Sequence, residues 1–423
     1  MYPAIQITIT FLIGMFLVYY SIPVIVRLSK EKELFDVPNE RKVNKTVVPT
    51  LGGIALFIGI TIATLLGMHN YLFPDLRYIL VGMIIMFFIG IKDDILIISA
   101  NKKLIAQIIC ALIITIPGEI RFTHLHGILG IHEVNYVFSV LISLLVIVAI
   151  TNALNLIDGI DGLAASMGIL SSAFFGANFL LTGHFKYAIL CFAIVGSLAS
   201  FFFYNVFGKK NKIFMGDTGS LLIGLLISIF TIKYNEFALT TTETHHFSPA
   251  LSFAIIVIPV FDMIRIFMAR IWQRRSPFSP DMNHIHHKLL KLGFSHLEST
   301  IILVGINLTF ILVAYTFRDL NNNVLLMLLV LIATVFSILP GLAYEYMLSK
   351  KIHTQKLQLS LVFMALKNYS LTERRDTDKK LTNNLAPELT KAKKTSKQSR
   401  DDKKVIQVNF AKQTKPAKVA GSN

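Results

Sequence analysis

The chain has 423 residues, of which 54% are hydrophobic and only 16% charged, with a mean hydropathy of +0.62. That composition excludes a soluble globular domain. The formal net charge of +16 would suit nucleic acid, but its distribution along the loops points to membrane orientation instead.

Apolar stretches long enough to cross a bilayer recur along the chain. In order they are Ile5 to Val26, Leu51 to Met68, Ile79 to Ile91, Leu104 to Pro117, Val137 to Ile150, Leu163 to Thr182, Tyr187 to Phe207, Leu221 to Ile232, Leu251 to Ile271, Thr300 to Phe317 and Val324 to Leu348. They predict an all-α, polytopic integral membrane protein of about 10–11 transmembrane helices. The first run lacks a basic leading region and a small-residue cleavage site, so it reads as a retained span. Cys110 and Cys191 lie inside apolar runs, where they act as small hydrophobes and say nothing about redox compartment.

Lys and Arg crowd into alternate loops. One set holds Arg27, Lys30, Lys32, Arg41, Lys42 and Lys45, then Lys92, Lys102 and Lys103, then Lys209, Lys210 and Lys212, then Arg270, Arg274, Arg275, Lys288 and Lys291. The other set has little beyond Arg77, Arg121, Lys186, Lys233 and Arg318. By the positive-inside rule the first set is cytoplasmic, which puts the N-terminus outside and the C-terminus inside. Residues 1–348 form the membrane domain, and 349–423 read as a disordered cytoplasmic tail with eighteen Lys and Arg against six Asp and Glu. Within that tail Leu357 to Leu366 reads as a short interfacial helix.

Acids, amides and histidines are expensive in so apolar a chain, and they concentrate in loops assigned cytoplasmic by charge alone. In "GIKDDIL", Asp93 and Asp94 sit on a helix end about 100° apart, so one is expected to face substrate or metal and the other to orient a Lys or Arg. In "NALNLIDGIDGL", Asn152, Asn155, Asp158 and Asp161 recur every third residue, along one face of a helical turn, and Gly159 and Gly162 permit a break or a close approach. In "FMGDTGS", Thr218 or Ser220 suits a helix cap, while Asp217 is a hard oxygen ligand beside a helix N-terminus suited to phosphate. In "PDMNHIHHKL", His284, His286 and His287 lie near Asp281 and downstream of Arg270, Arg274 and Arg275. No Cys is near and the Arg cluster repels cations, so anion binding is expected rather than Zn²⁺.

Together these groups suggest Mg²⁺-dependent phosphoryl transfer onto a lipid, with catalytic loops on the cytoplasmic face. The chain resembles the polyprenyl-phosphate N-acetylhexosamine-1-phosphate transferases of glycosyltransferase family 4, including the bacterial undecaprenyl-phosphate N-acetylglucosaminyl-1-phosphate type. The resemblance runs from Asp36 to Leu292 through "DVPNERK", "PTLGG", "KDD", "NALNLIDGIDGLA", "FMGDTGS" and "SPFSPDMNHIHHKL", in the family's order. It implies a UDP-sugar donor, a polyprenyl phosphate acceptor and release of UMP, with Mg²⁺, or Mn²⁺ in its place, as cofactor.

Carried onto this sequence, the resemblance implies that Asp217 is the principal metal ligand. Asp93 and Asp94 would lie at the acceptor phosphate, with Asp93 the debated base, and Asn155 and Asp158 at the diphosphate and ribose. Asp161, Lys45 and Phe214 would line the uracil pocket. His284, His286 and His287 would contact phosphate or sugar, with Arg274 and Arg275 as further substrate contacts. Two departures stand out. Many relatives carry a His two residues after the Arg-Lys pair, where this chain has Asn44, and the Asn that precedes the metal Asp corresponds to Asn205, its spacing lengthened through "FGKKNK". The form "SPFxxDxxHIHH" looks like the branch using UDP-N-acetylglucosamine or a close relative for teichoic acid, O-antigen or other envelope polymers. The phospho-N-acetylmuramoyl-pentapeptide branch of peptidoglycan synthesis shows three adjacent histidines, a run that Ile285 interrupts here. The partners expected are the two substrates, the bacterial inner membrane and a second copy of the chain, without nucleic acid. An ion-coupled transporter is the reading from another class, and it would place ionisable groups in mid-span rather than at span ends.

Overall fold

The computed structural model describes residues 3–32, 34, 48–68, 72–96, 98–239, 248–276 and 283–349. The tail beyond Ser349, "DVPNERK" with Lys45 and Asn44, and Asp281 lie outside them. The described chain is helical apart from one small hairpin. Its order is α1 (Pro3–Glu31), α2 (Gly52–Gly67), α3 (Pro74–Leu96), α4 (Ala100–Thr115), β1 (His124–Ile128), β2 (Ile131–Glu133), α5 (Tyr136–Ile157), α6 (Leu163–Leu181), α7 (Phe185–Phe202), α8 (Gly216–Phe237), α9 (Pro249–Ile255), α10 (Val257–Trp272), α11 (Ile285–Lys291), α12 (His296–Thr316) and α13 (Asn322–Ser349). Among the described residues seven helices are long and apolar enough to cross a membrane, or eight if α9 and α10 count as one bent span. The chain is thus an all-α multi-pass membrane protein. The shorter or more polar α2, α3 and α4 pack among those helices.

Helix α8 is the axis of the bundle, with almost every side chain from Thr218 to Asn235 buried. Its neighbours approach closely because the facing positions are glycines, as is usual where apolar lipid supplies no drive for helices to associate. A Cβ added at Gly224 would lie 2.6 Å from the Cα of Thr151 in α5, and one at Gly90 would lie 2.3 Å from the Cα of Thr218. Helices α1 and α7 meet the same way, Gly196 against the Phe11 carbonyl. Buried hydroxyls return their protons to the preceding turn, as Thr231 does to the Ile227 carbonyl at 2.9 Å.

The run Leu251–Ile271, expected as one straight span, is instead broken: α9 and α10 meet at 79°. Pro259 offers no N–H, so the first turn of α10 lacks one helical donor in any case. The groups freed at the break are bonded from another helix. Asn307, fully buried in α12, donates to the Ile255 carbonyl at 3.0 Å and accepts from the Ile258 N–H at 3.3 Å. Within hydrocarbon such a break persists only where protein supplies the missing partners. The break turns α10 so that Asp262 and Arg270 reach the histidine-bearing segment.

The hairpin β1–β2 pairs antiparallel, His124 with Glu133 and Ile128 with Ile131. It caps the end of the bundle where α5 and α13 begin, and Asn322 and Asn323 donate to the His126 and Gly127 carbonyls. At this same end Lys233 of α8 pairs with Asp75 of α3 at 2.8 Å. Every cluster of acids and histidines described below lies at the other end.

Replacing Asn307 with Leu keeps the branching at Cγ and deletes both bonds across the break. The expected result is a destabilisation of about 2–3 kcal/mol, read as a lower unfolding temperature in detergent. Unchanged stability would show that the break is supported by other groups.

Candidate active site

Three segments distant in sequence converge where α8 begins. "PTLGG" lies beside the residues preceding α8: Phe214 donates to the Pro49 carbonyl at 2.8 Å, Gly52 to the Phe214 carbonyl at 3.0 Å, and Gly53 to the Met215 carbonyl at 2.9 Å. Gly216 has φ +69°, a left-handed conformation, and a Cβ there would strike the Thr50 carbonyl at 2.1 Å and the Asp94 carboxylate at 2.7 Å. This packing carries the last turn of α3 onto the N-terminus of α8.

Asp94 accepts three hydrogen bonds there, from Asp217 N at 2.8 Å, Thr218 N at 3.1 Å and Thr218 Oγ1 at 2.6 Å. It is the N-terminal cap of α8, supplied from another helix. Thr218 and Ser220, expected as caps from sequence, lie inside the helix, where Ser220 donates back to the Gly216 carbonyl. Asp93 faces differently and pairs with Lys103 of α4 at 2.8 Å. The same ammonium also pairs with Asp217. Asn155, at the end of α5, donates to Asp217 Oδ1 at 2.8 Å and to Ser220 Oγ at 2.9 Å. The amides and acids of "NALNLIDGIDGL" do not share one face. Asn152 exchanges bonds with Gln107 in α4, and Asp158 and Asp161 lie beyond the helix end.

Asp158 follows the last residue of α5 and is held up at about 8, first by burial and then by the charges of Asp217, Asp94 and Asp161. Asp161 is pulled the other way. Burial raises it, but His296 and Lys212 outweigh burial and hold its carboxyl below the usual range; their distances are 3.1 Å and 2.7 Å. Lys212 Nζ also lies 5.8 Å from the Phe214 ring centroid, so Asp161, Lys212 and Phe214 form one group. Asn205 anchors it. Five residues of π-helix, Phe203–Phe207, end α7 and present Asn205, which accepts from Gly162 N at 2.6 Å and donates to the Ile213 carbonyl at 2.9 Å.

The histidine-bearing helix α11 closes the site. A cavity of about 360 Å³ is lined by Lys103, Asn152, Asn155, Gly159, Arg270, His284, His286 and His287, together with apolar residues of α4, α5 and α10. His286 packs on Gly159, where a Cβ would sit 2.3 Å from its Nε2. It is buried, and neither of its ring nitrogens has a protein partner. Burial, then the neighbouring His287, lowers it to about 3, so it is neutral at physiological pH. Arg274 and Arg275 follow α10, are exposed and lie outside the cavity lining. The guanidinium in the lining is that of Arg270, the member on α10 of the Arg cluster that was expected to bind anions beside the histidines. Lys103 was read only as a loop charge, yet it touches both Asp93 and Asp217. Lys45 lies outside the described residues.

The donor set can be tested for a divalent cation. Asp93, Asp94, Asp158 and Asp217 surround the start of α8, and among the described residues Lys103 is the ammonium that pairs within them. It occupies the negative field between Asp93 and Asp217, and the charge that remains adds to burial in raising Asp158. Hard carboxylate and amide oxygens around a surplus of negative charge fit Mg²⁺ or Mn²⁺. Among the described residues no three acids, histidines or cysteines are gathered as a metal cage.

Residues 76–235 match the model of glycosyl transferase family 4. The chain is 33% identical over 280 residues to the undecaprenyl-phosphate alpha-N-acetylglucosaminyl 1-phosphate transferase of Escherichia coli strain K12, covering 66% of this chain and 74% of that protein. It is 30% identical to the probable undecaprenyl-phosphate N-acetylglucosaminyl 1-phosphate transferase of Bacillus subtilis strain 168, covering 81% of this chain and 94% of that one. The Yersinia pestis protein named as the Escherichia coli one is 30% identical over 69% of this chain and 78% of its own length.

With Asp158 raised in the folded state, the native protein binds a proton there that the unfolded chain has released. Stability without metal therefore falls as pH rises from the ordinary aspartate range to about 8. In EDTA, Asp158→Asn is expected to raise the unfolding temperature at pH 8 by roughly 2–4 °C and to have little effect near pH 4. An equal effect at both pH values would overturn the charge-crowding explanation.

Proposed function

The chain belongs to glycosyl transferase family 4, and from that premise we propose that it transfers N-acetylglucosamine 1-phosphate from UDP-N-acetylglucosamine to undecaprenyl phosphate. The products are undecaprenyl-diphosphate N-acetylglucosamine and UMP. The names of its relatives support the sugar and the lipid, and they favour this reading over the muramoyl-pentapeptide one. The observation that carries it is the cavity lined by Arg270, His284, His286 and His287 together with Lys103 and Asn155, the two side chains that bond the acidic cluster at the start of α8.

An oxygen of the lipid phosphate attacks the phosphorus that bears the sugar. The bond from that phosphorus to the bridging oxygen breaks, and the bridging oxygen leaves on UMP. The difficulty is bringing two anionic phosphates together. A monoester phosphate has its second pKa near ~6, so the acceptor is largely dianionic at neutral pH and needs no obligatory base. Arg270 and His284 supply donors to phosphate oxygens. Neutral His286, with one donor and one acceptor, suits a hydroxyl or amide of the sugar. Asp217 and Asp93, steadied by Asn155 and Lys103, would hold Mg²⁺, or Mn²⁺. Bound there, the cation would screen the diphosphate and stabilise charge developing on the leaving UMP. Asp161 and Phe214 would line the uracil side together with Lys212 and Lys45. The site would face the cytoplasm of the inner membrane, with the N-terminus outside and the C-terminus inside, as Lys and Arg placement implies. The product suits the first membrane step of an envelope polysaccharide.

UMP release from UDP-N-acetylglucosamine is measured with undecaprenyl phosphate and Mg²⁺ in detergent, beside UDP-N-acetylgalactosamine and UDP-N-acetylmuramoyl-pentapeptide. Release is expected with the first donor and should stop in EDTA. Asp217→Asn should reduce turnover by about 10³-fold or more with protein yield retained. Preference for the pentapeptide donor, or near-normal activity of Asp217→Asn, would overturn the donor and metal assignments respectively.

A further inference from the structure

Outside the acidic cluster one carboxylate in the site has no role in the reaction as described. Asp262 lies on α10, one turn past the break, and is 5% exposed. Both of its oxygens are used on one short segment. Oδ2 is 2.8 Å from His284 Nδ1, and Oδ1 accepts from Ile285 N at 3.2 Å and from Arg265 at 2.6 Å. Arg265 in turn donates to the Asn283 carbonyl at 2.7 Å. One carboxylate and one guanidinium thus hold residues 283 to 285 in sequence, at the point where α11 starts and the histidines enter the cavity.

We infer that Asp262 is the positioning residue of His284: it holds a proton on Nδ1, fixes the ring plane and turns Nε2 toward the cavity, where the Nε2–H of the doubly protonated ring meets the phosphate of the bound substrate. The physical reason is the arrangement of donors. A carboxylate only accepts, so His284 must present N–H at Nδ1, and in the neutral ring Nε2 is then the unprotonated nitrogen. When His284 is doubly protonated, the same carboxylate stabilises the imidazolium, and Nε2–H donates to the phosphate oxygen on which charge grows. That logic parallels the orienting acid of hydrolytic triads, here applied to a phosphate donor. Sequence could not mark Asp262, a single acid within an apolar run and 22 residues from its partner.

Asp262→Asn is the discriminating variant because it keeps shape and reverses polarity at one atom. The amide oxygen retains Ile285 and Arg265 as donors, so the amide NH₂ faces Nδ1 and His284 must accept there. The proton moves to Nε2. Nitrogen-15 spectra of histidine-labelled protein in detergent at pH 8, with His284 assigned by loss of its signal in His284→Gln, should show the proton on Nδ1 in the wild type and on Nε2 in Asp262→Asn. A wild-type proton on Nε2 overturns the inference, whether or not the variant folds.

The kinetic arm rests on the transferase reading. Asp262→Asn should lower kcat about 10- to 100-fold, with KM for the UDP-sugar within about 3-fold, because the lost interaction strengthens only as the bond breaks. In a His284→Gln background the same change should have less than about a 3-fold effect. An equal loss in both backgrounds, or a rise in KM at constant kcat, overturns the positioning role. If the wild type releases no UMP from any donor, the functional reading fails, while the spectrum still decides the proton's place.

Discussion

Helix ends inside a membrane bundle have no water to bond, so their backbone groups must find side chains, and the site is built around that requirement. The start of α8 is held by Asp94 from α3, and the start of α11 by Asp262 from α10. Asn205 and Asn307 serve the opening of α6 and the break before α10 in the same way. None of these caps comes from the helix it serves. A local cap stabilises one helix, whereas a cap from a neighbour also fixes the relative position of two helices. The polar groups that satisfy the backbone therefore also set the distances between the side chains of the candidate site.

This division of labour separates the two adjacent acids of α3. Asp94 spends both oxygens on α8, leaving little lone-pair capacity for a ligand. Asp93, turned away from it on the same helical turn, shares Lys103 with Asp217. The pair thus has one structural and one electrostatic member. Of the two acids, one of which was expected to orient a basic partner, it is Asp93 that pairs with Lys103.

What the sequence made legible follows from range. Apolar runs report helices because burial in lipid acts on each residue independently, and all eleven stretches are helical in the structure. Clusters such as "NALNLIDGIDGL" and "FMGDTGS" stood out because several costly groups fell close together. Lys103 and Asp217, 114 residues apart, Asp262 and His284, and Asn307 with the break 49 residues away left no such trace. Each is one polar residue in or beside an apolar segment, and its meaning lies in a partner that only folding supplies. The break in Leu251–Ile271 was hidden for the same reason, since Pro259 alone does not say whether a helix bends.

The two walls of the cavity differ in kind. On one side Lys103 and Asn155 stand before the carboxylates at the start of α8, whose charges add to burial in raising Asp158. Across the cavity α11 offers His286, kept neutral by burial, and His284, backed by a carboxylate. An anion alone would be repelled by the first wall, and a cation alone gains nothing from the second. Under the proposed reaction, a diphosphate carrying a divalent cation would satisfy both at once, cation toward Asp217 and free oxygens toward His284 and Arg270.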